Sequence, residues 1–180
     1  MYVIIKESGQ QGTGSDLRLV TLTLHRSTLE RFANYGTVDR SLLTTAHYHH
    51  TMKNHFLITL LWSSTDDAGE PLERRFDTTD IDNTDKIDRV LSRFIAAVEA
   101  DPVLISLDNI EEVTGNDRDR IAHDLCLTIN RHGAGFWDGD YSSDGIGSGE
   151  YGDRLTAISH TFTEIGLYEN NDNRLSIEQY

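Results

Sequence analysis

The apolar residues between positions 84 and 100 recur with the period of a helix, and this pattern constrains the fold more than any other in the chain. They stand three or four residues apart: Ile87, Val90, Leu91, Phe94, Ile95 and Val98. Acidic residues precede the segment, and Pro102 disfavours helical geometry just after it. We therefore predict a helix over Thr84–Ala100 with one face in a hydrophobic core.

Weaker patterns place further elements along the chain. Apolar residues at helical spacing favour two more helices, over residues 117–130 and 152–162. The segment 42–62 is ambiguous: a central helix fits its apolar spacing best, and a buried strand over 56–62 is the alternative. Two short runs, 166–169 and 174–177, flank a polar Asn-Asn-Asp-Asn turn and indicate a C-terminal β-hairpin. The fold class predicted is α+β, a single domain with three to four helices packed on a small antiparallel sheet.

The first 41 residues have a composition of their own. Tyr2–Lys6 and Leu17–Leu24 read as a strand pair, and Ser27 to Glu30 forms a capping box that starts a short helix. We interpret residues 1–41 as an appended module, whose strands are candidates to join the sheet. Residues 42–180 then form the α+β core domain.

Charge limits the partners that such a chain can have. The formal net charge is −14, with thirty acidic and sixteen basic residues. This sign repels nucleic acid phosphates and anionic membranes, so we expect neither as a partner, and a basic protein instead. A well-solvated acidic surface, as in a protein from a saline source, is the alternative. The single cysteine, Cys126, and the lack of a long apolar run favour an intracellular location.

Residues 138–153 are rich in Asp, Gly and Ser and allow three interpretations. A dinucleotide loop fits the glycines at 147, 149 and 152, but no strand precedes them. A weak calcium site would use oxygens in a partial EF-hand pattern, from Asp140, Ser142, Asp144 and Glu150; its twelfth position is a tyrosine. The third interpretation is a solvated loop that contacts a basic partner. The partner-binding residues predicted are Trp137, Asp138, Asp140, Asp144, Glu150 and Asp153.

Two local features of the helix over 117–130 and its end also lead to predictions. Asp119 with His123, and Arg120 with Asp124, stand four residues apart and are expected to pair on the surface. The small residues Gly133-Ala134-Gly135 that follow the helix allow a tight turn or a close backbone approach.

The string from Asn130 to Asp138, together with Gly152–Thr156 and Gly166–Tyr168, resembles a family of small acidic proteins encoded by bacteriophages and mobile elements. The likeness covers roughly residues 42–177 and implies such an origin, with the cytoplasm of a host cell as the place of action. It brings no catalytic residues with it.

These observations favour a non-enzymatic protein, because neither a nucleophile elbow nor an H-E-x-x-H motif is present. We predict an accessory protein that acts by protein–protein contact, as a DNA-mimic-like antagonist of a host defence complex such as restriction or CRISPR. Two alternatives stay open. One is a structural or virion-associated protein stabilised by a cation in the 138–153 loop, and the other is an unrecognised hydrolase with paired carboxylates.

Overall fold

The computed structural model describes residues 40–138, 140–142 and 149–179. The chain divides into two compact units, Met1–His50 and Thr51–Tyr180, and the side-chain contacts described below lie within the second. The strand pair and short helix expected in the first 39 residues lie outside the described residues. The interpretation of residues 1–41 as an appended module therefore stays a prediction.

The described residues form an α+β structure, as expected from the sequence. They hold five α-helices: α1 (Arg40–Ser63), α2 (Asp85–Ala100), α3 (Leu107–Thr114), α4 (Arg118–Ile129) and α5 (Gly149–Ser159). One-turn 3-10 helices cover Leu72–Arg74, Thr78–Asp80 and Phe136–Asp138. The strands are β1 (Ile81–Asp82), β2 (Ile165–Glu169) and β3 (Leu175–Gln179). None of the described helices combines the length and apolar character that a bilayer span requires.

Helix α2 confirms the strongest prediction from the sequence. Its residues at helical spacing are buried: Ile87, Val90, Leu91, Phe94 and Val98. The helix stops at Asp101, whose backbone is extended before the proline, and the Asp101 carboxylate accepts hydrogen bonds from the N–H groups of Val103 and Leu104. The local pattern therefore places both the buried face and the end of this helix.

Helix α3 is an element that the sequence patterns did not predict. Its N-cap is Ser106, whose hydroxyl accepts a hydrogen bond from the N–H of Asn109, and its C-cap is Gly115 in the left-handed conformation. Only Leu107 and Ile110 of its eight residues are buried. Eight residues contain too few apolar positions to show a helical period. Only the capping residues Ser106 and Gly115 mark this helix in the sequence.

The sheet has the strand order β1-β3-β2 and is mixed. β2 and β3 pair in antiparallel fashion across the polar turn, so the C-terminal segment folds back as expected. β1 pairs with β3 in parallel, which makes the expectation of a purely antiparallel sheet wrong. Arg174 from the turn donates to the Asp82 carboxylate of β1, at 2.9 Å from Nε to Oδ1. Because β1 has two residues and a long-range partner, no local pattern could reveal it.

Candidate functional site

The carboxylates predicted to bind a partner lie at the two ends of the 138–153 segment, which we call the acidic loop. Asp138 and Asp140 are exposed at its start, and Glu150 and Asp153 are exposed at its end, on α5. Asp144 lies outside the described residues. The loop ends touch each other, because a Cβ built on Gly149 would lie 2.8 Å from Cβ of Ser142. The two pairs of carboxylates therefore lie on either side of the contact between Ser142 and Gly149, which we call the loop base.

Tyr141 anchors the start of the loop in the core. Its side chain is fully buried, and its ring packs edge-on against Phe136, with 4.9 Å between ring centroids. The Tyr141 hydroxyl donates a hydrogen bond of 2.9 Å to Oδ2 of Asp124. Asp124 is itself buried on α4, with 1% of its surface exposed. The first residues of the loop are thus held by a buried tyrosine–carboxylate contact.

Arg120 links this buried contact to the surface. Its Nε donates to Oδ2 of Asp124 at 2.8 Å, and its Nη2 donates to Oδ2 of Asp140 at 2.6 Å. Asn116 adds a bond from its side-chain amide to the Asp140 carbonyl at 2.6 Å. The predicted pair between Arg120 and Asp124 is therefore confirmed, but it does not lie on the surface, because Asp124 is buried beside Tyr141.

The environment shifts the pKa values of this group in opposing directions. Burial raises the pKa of Asp124, and the Tyr141 hydroxyl and Arg120 lower it without cancelling the effect of burial. Burial also raises the pKa of Tyr141, and the neighbouring Asp124 charge raises it further. The tyrosine therefore stays protonated and acts as the donor in the contact.

Two further arginines repeat the arrangement of one guanidinium between two carboxylates. Arg154 of α5 pairs with Glu150 at 2.9 Å and with Asp101 at 3.0 Å. Burial alone would raise the pKa of Asp101, but the backbone N–H groups it accepts and Arg154 lower it overall.

Arg118, which is buried, pairs with Asp108 and, at 3.9 Å, with Glu111 of α3. We refer to these three arginines and their six carboxylates as the carboxylate–arginine network: Arg118, Arg120, Arg154, Asp101, Asp108, Glu111, Asp124, Asp140 and Glu150.

The glycine-rich turn after α4 leads into the 3-10 helix that contains Trp137 and Asp138, just before Asp140 of the network. Gly135 has φ of 154°, and a Cβ there would collide with Oγ1 of Thr128. That hydroxyl accepts the N–H of Phe136 at 3.0 Å, and the Asp138 carboxylate accepts the N–H of Gly135 at 3.1 Å. The expected close approach is confirmed at Gly135. It does not extend to Gly133, where a Cβ would meet no atom within 4 Å.

Trp137 is partly buried, with its ring centroid 6.4 Å from that of His160.

The four residues predicted to bind calcium lie in different environments. Asp140 and Glu150 are paired with Arg120 and Arg154. Ser142 is partly buried at the loop base, and Asp144 lies outside the described residues. Within the described ranges, no three His, Cys, Asp or Glu side chains are placed to share a metal ion. The calcium site stays a prediction.

A second group of side chains lies where α1 and α4 run side by side. Asp119 of α4 pairs with His55 of α1 at 3.0 Å, so the expected pair between Asp119 and His123 is not formed. His123 instead shares a hydrogen bond of 2.9 Å with Oγ1 of Thr59. Burial lowers the pKa of His123. No pattern in the sequence pointed to this group, because its members come from helices far apart in the chain.

A buried cysteine and a surface depression are two further features of chemical interest. Cys126 is fully buried, and burial raises the pKa of its thiol, as expected for an inert cysteine. A shallow, open depression on α2 is lined by Asp88, Arg89, Ser92 and Arg93.

Comparisons with known proteins returned no relative. No protein-family model matches the sequence, and no curated protein and no solved structure matches it. The likeness to phage-encoded proteins therefore stays a prediction, and the side chains of this chain carry the functional argument.

Proposed function

We propose that this protein works by binding a basic surface of another protein, without making or breaking a bond. The supporting observation is the carboxylate–arginine network, in which arginines hold the exposed carboxylates of Asp140, before the loop, and Glu150, after it. A fixed array of anionic groups loses little conformational entropy when it binds, which is the condition for tight and specific recognition of a cationic surface.

The charge distribution supports a cationic partner. Residues 51–180 contain 26 of the thirty acidic residues and 11 of the sixteen basic ones, a formal charge of −15, whereas residues 1–50 carry +1. Nine of those 11 basic side chains pair with carboxylates, namely Lys53, Arg74, Arg75, Arg89, Arg118, Arg120, Arg131, Arg154 and Arg174. The remaining two are also engaged, since Lys86 bonds a backbone carbonyl and Arg93 stacks on Phe162. Residues 51–180 therefore carry more carboxylates than their own basic side chains can neutralise, and this excess attracts the cationic groups of a partner.

Each exposed carboxylate of the network keeps the capacity to accept a second donor. An ionised carboxylate offers about four acceptor positions, and one guanidinium occupies one or two of them. Asp108, Asp140 and Glu150 are more than half exposed at their side chains. They are therefore able to accept Arg or Lys side chains that would otherwise bind phosphates.

This chemistry fits a DNA-mimic-like antagonist acting in the cytoplasm of a host cell, encoded by a phage or mobile element. Its target would be a defence complex with a basic nucleic-acid groove, such as a restriction or CRISPR effector. Occupation of that groove by carboxylates blocks access by DNA or RNA, and it requires no reaction by the antagonist itself.

The test compares two variants with the same change in charge. One neutralises the loop set, Asp138, Asp140, Asp144, Glu150 and Asp153, to Asn or Gln. The control neutralises five exposed acids elsewhere: Asp67, Glu73, Glu99, Asp172 and Glu178. Phage plating is measured in bacteria that carry a restriction or CRISPR system, with each variant checked for folding by circular dichroism.

We expect the parent and the control to restore plating and the loop variant to fail. Binding to the defence complex should also weaken by about tenfold or more between about 50 and about 200 mM salt. Equal activity of the loop variant and the parent would show that the loop carboxylates are not the contact surface.

A further inference from the structure

Helix α1 exposes two large apolar side chains one turn apart. Ile58 is 46% exposed and Trp62 is 49% exposed, while Met52, Phe56 and Leu60 on other positions of the helix are buried. A single exposed apolar residue is ordinary on a protein surface. An exposed tryptophan with an apolar neighbour is different, because tryptophan is among the residues most enriched at the energetic centres of protein interfaces.

Two histidine rings lie beside the indole of Trp62. The ring of His123 lies 6.1 Å from it and the ring of His132 lies 6.0 Å from it, at interplanar angles of 36° and 45°. His123 is fixed in turn by its hydrogen bond to Thr59. The exposed indole therefore has ring neighbours on α4 and on the turn after it, which restrict its rotamers and reduce the side-chain entropy lost on binding.

The chain already stacks arginines on aromatic rings at two other places. The guanidinium of Arg75 lies 4.9 Å from the ring centroid of Phe76, and that of Arg93 lies 4.9 Å from that of Phe162. Indole attracts a cation more strongly than a phenyl ring does. Yet within the described ranges no arginine or lysine stacks on Trp62. The nearest arginine in sequence to His132, Arg131, pairs with Glu164.

The net charge favours a cationic partner for this aromatic surface. The formal charge of residues 51–180 is −15, and the carboxylate of Asp119, which pairs with His55, lies one helical turn before His123 on α4. A cationic side chain of a partner is therefore attracted to the surface, whereas an anionic one is repelled.

We propose that Trp62 is the anchor of the partner-binding surface and receives an arginine side chain of the basic partner. The guanidinium plane stacks on the exposed face of the indole, and Ile58 contacts the aliphatic part of the same side chain. Arginine suits this position better than lysine, because its planar, weakly hydrated cation stacks on aromatic rings. The inference rests on the proposed function, since it specifies how the basic partner is held.

Labelled oligoarginine and oligolysine peptides of equal length serve as probes in fluorescence anisotropy. The parent should bind oligoarginine more tightly than oligolysine. Trp62→Ala should weaken oligoarginine binding by about tenfold and remove most of the preference, and Trp62→Phe should restore part of it. The control is Tyr168→Ala, which removes an aromatic side chain that is 48% exposed on β2. It should bind as the parent does.

The outcomes separate this inference from the proposed function. If Trp62→Ala binds oligoarginine as the parent does, or if Tyr168→Ala loses as much affinity, the anchor is not Trp62, although salt-sensitive binding would still support the proposed function. If the parent binds neither peptide, both proposals fail. If Trp62→Ala instead turns a dimer into a monomer in sedimentation, the face is an interface between two copies and the inference is overturned.

Discussion

At the scale of single residues, the carboxylate of Asp124 ties the acidic loop to the interior. A buried carboxylate is costly unless hydrogen bonds replace its lost water. Tyr141 and Arg120 supply those bonds, and both also contact the loop or belong to it. The position of the loop base is therefore coupled to a single ionised group in the core.

Removing the hydroxyl of Tyr141 should lower the free energy of unfolding, because the buried carboxylate of Asp124 loses a hydrogen bond. Tyr141→Phe keeps the ring against Phe136 but leaves Asp124 without one of its donors, and we expect a loss of about 1–3 kcal/mol in the free energy of unfolding. Because the hydroxyl lowers the pKa of Asp124, the loss should be largest near neutral pH. It should shrink as the pH falls and the carboxylate becomes protonated.

Denaturant unfolding at several pH values measures this loss, with Tyr168→Phe on the surface as the control. A loss that does not change with pH would mean that the hydroxyl acts through packing and not through the charge.

At the scale of elements, the turn after α4 depends on the absence of one side chain. Gly135 lets the backbone approach Thr128 closely enough for the hydroxyl to accept the N–H of Phe136. This close approach sets the direction of the 3-10 helix Phe136–Asp138, which follows the turn after α4. It therefore decides where Trp137 and Asp138 stand relative to the loop.

Substitutions at two glycines of this turn should separate close approach from simple flexibility. Gly135→Ala should cost about 2 kcal/mol or more, because the added Cβ meets Thr128 and the residue keeps a φ that side chains disfavour. Gly133→Ala, where a Cβ has open space, should cost less than about 1 kcal/mol. Thermal unfolding compares the two. Equal losses would contradict the close contact as the cause.

At the scale of the whole molecule, the excess of carboxylates opposes folding, because like charges repel one another. Residues 51–180 hold 15 more acidic than basic residues. Isolated surface ion pairs add about 0–1 kcal/mol each, so they offset the repulsion only in part. The acidic surface is therefore a cost to stability that a binding role would justify.

Salt should stabilise this protein. Raising sodium chloride from about 10 to about 500 mM shortens the screening length and weakens repulsion among the carboxylates, so the melting temperature should rise. The control variant with Asp67, Glu73, Glu99, Asp172 and Glu178 neutralised should show a smaller rise, because less repulsion remains to be screened. A melting temperature that falls with salt would mean that the ion pairs outweigh the repulsion.

Local patterns in the sequence account for the elements that depend on residues a few positions apart. The helical period places α2, the acidic N-cap Asp117 starts α4, and the Asn-rich turn aligns β2 with β3. Helix α5 begins three residues earlier than the expected Gly152, at the point where Gly149 packs against Ser142 across the loop base. Its start is set by a contact with the other end of the loop, which the helical period does not report.

The sequence by itself therefore determined the helical periods, the caps, the C-terminal strand pair and the acidic charge, because each of these depends on residues a few positions apart. The tertiary structure alone decided that Asp124 is buried, that Asp119 pairs with His55, that β1 joins β3 in parallel and that two histidine rings lie beside Trp62. These features join segments distant in the chain. Only the packing of the whole core brings such segments together, and spacing along the sequence carries no record of it.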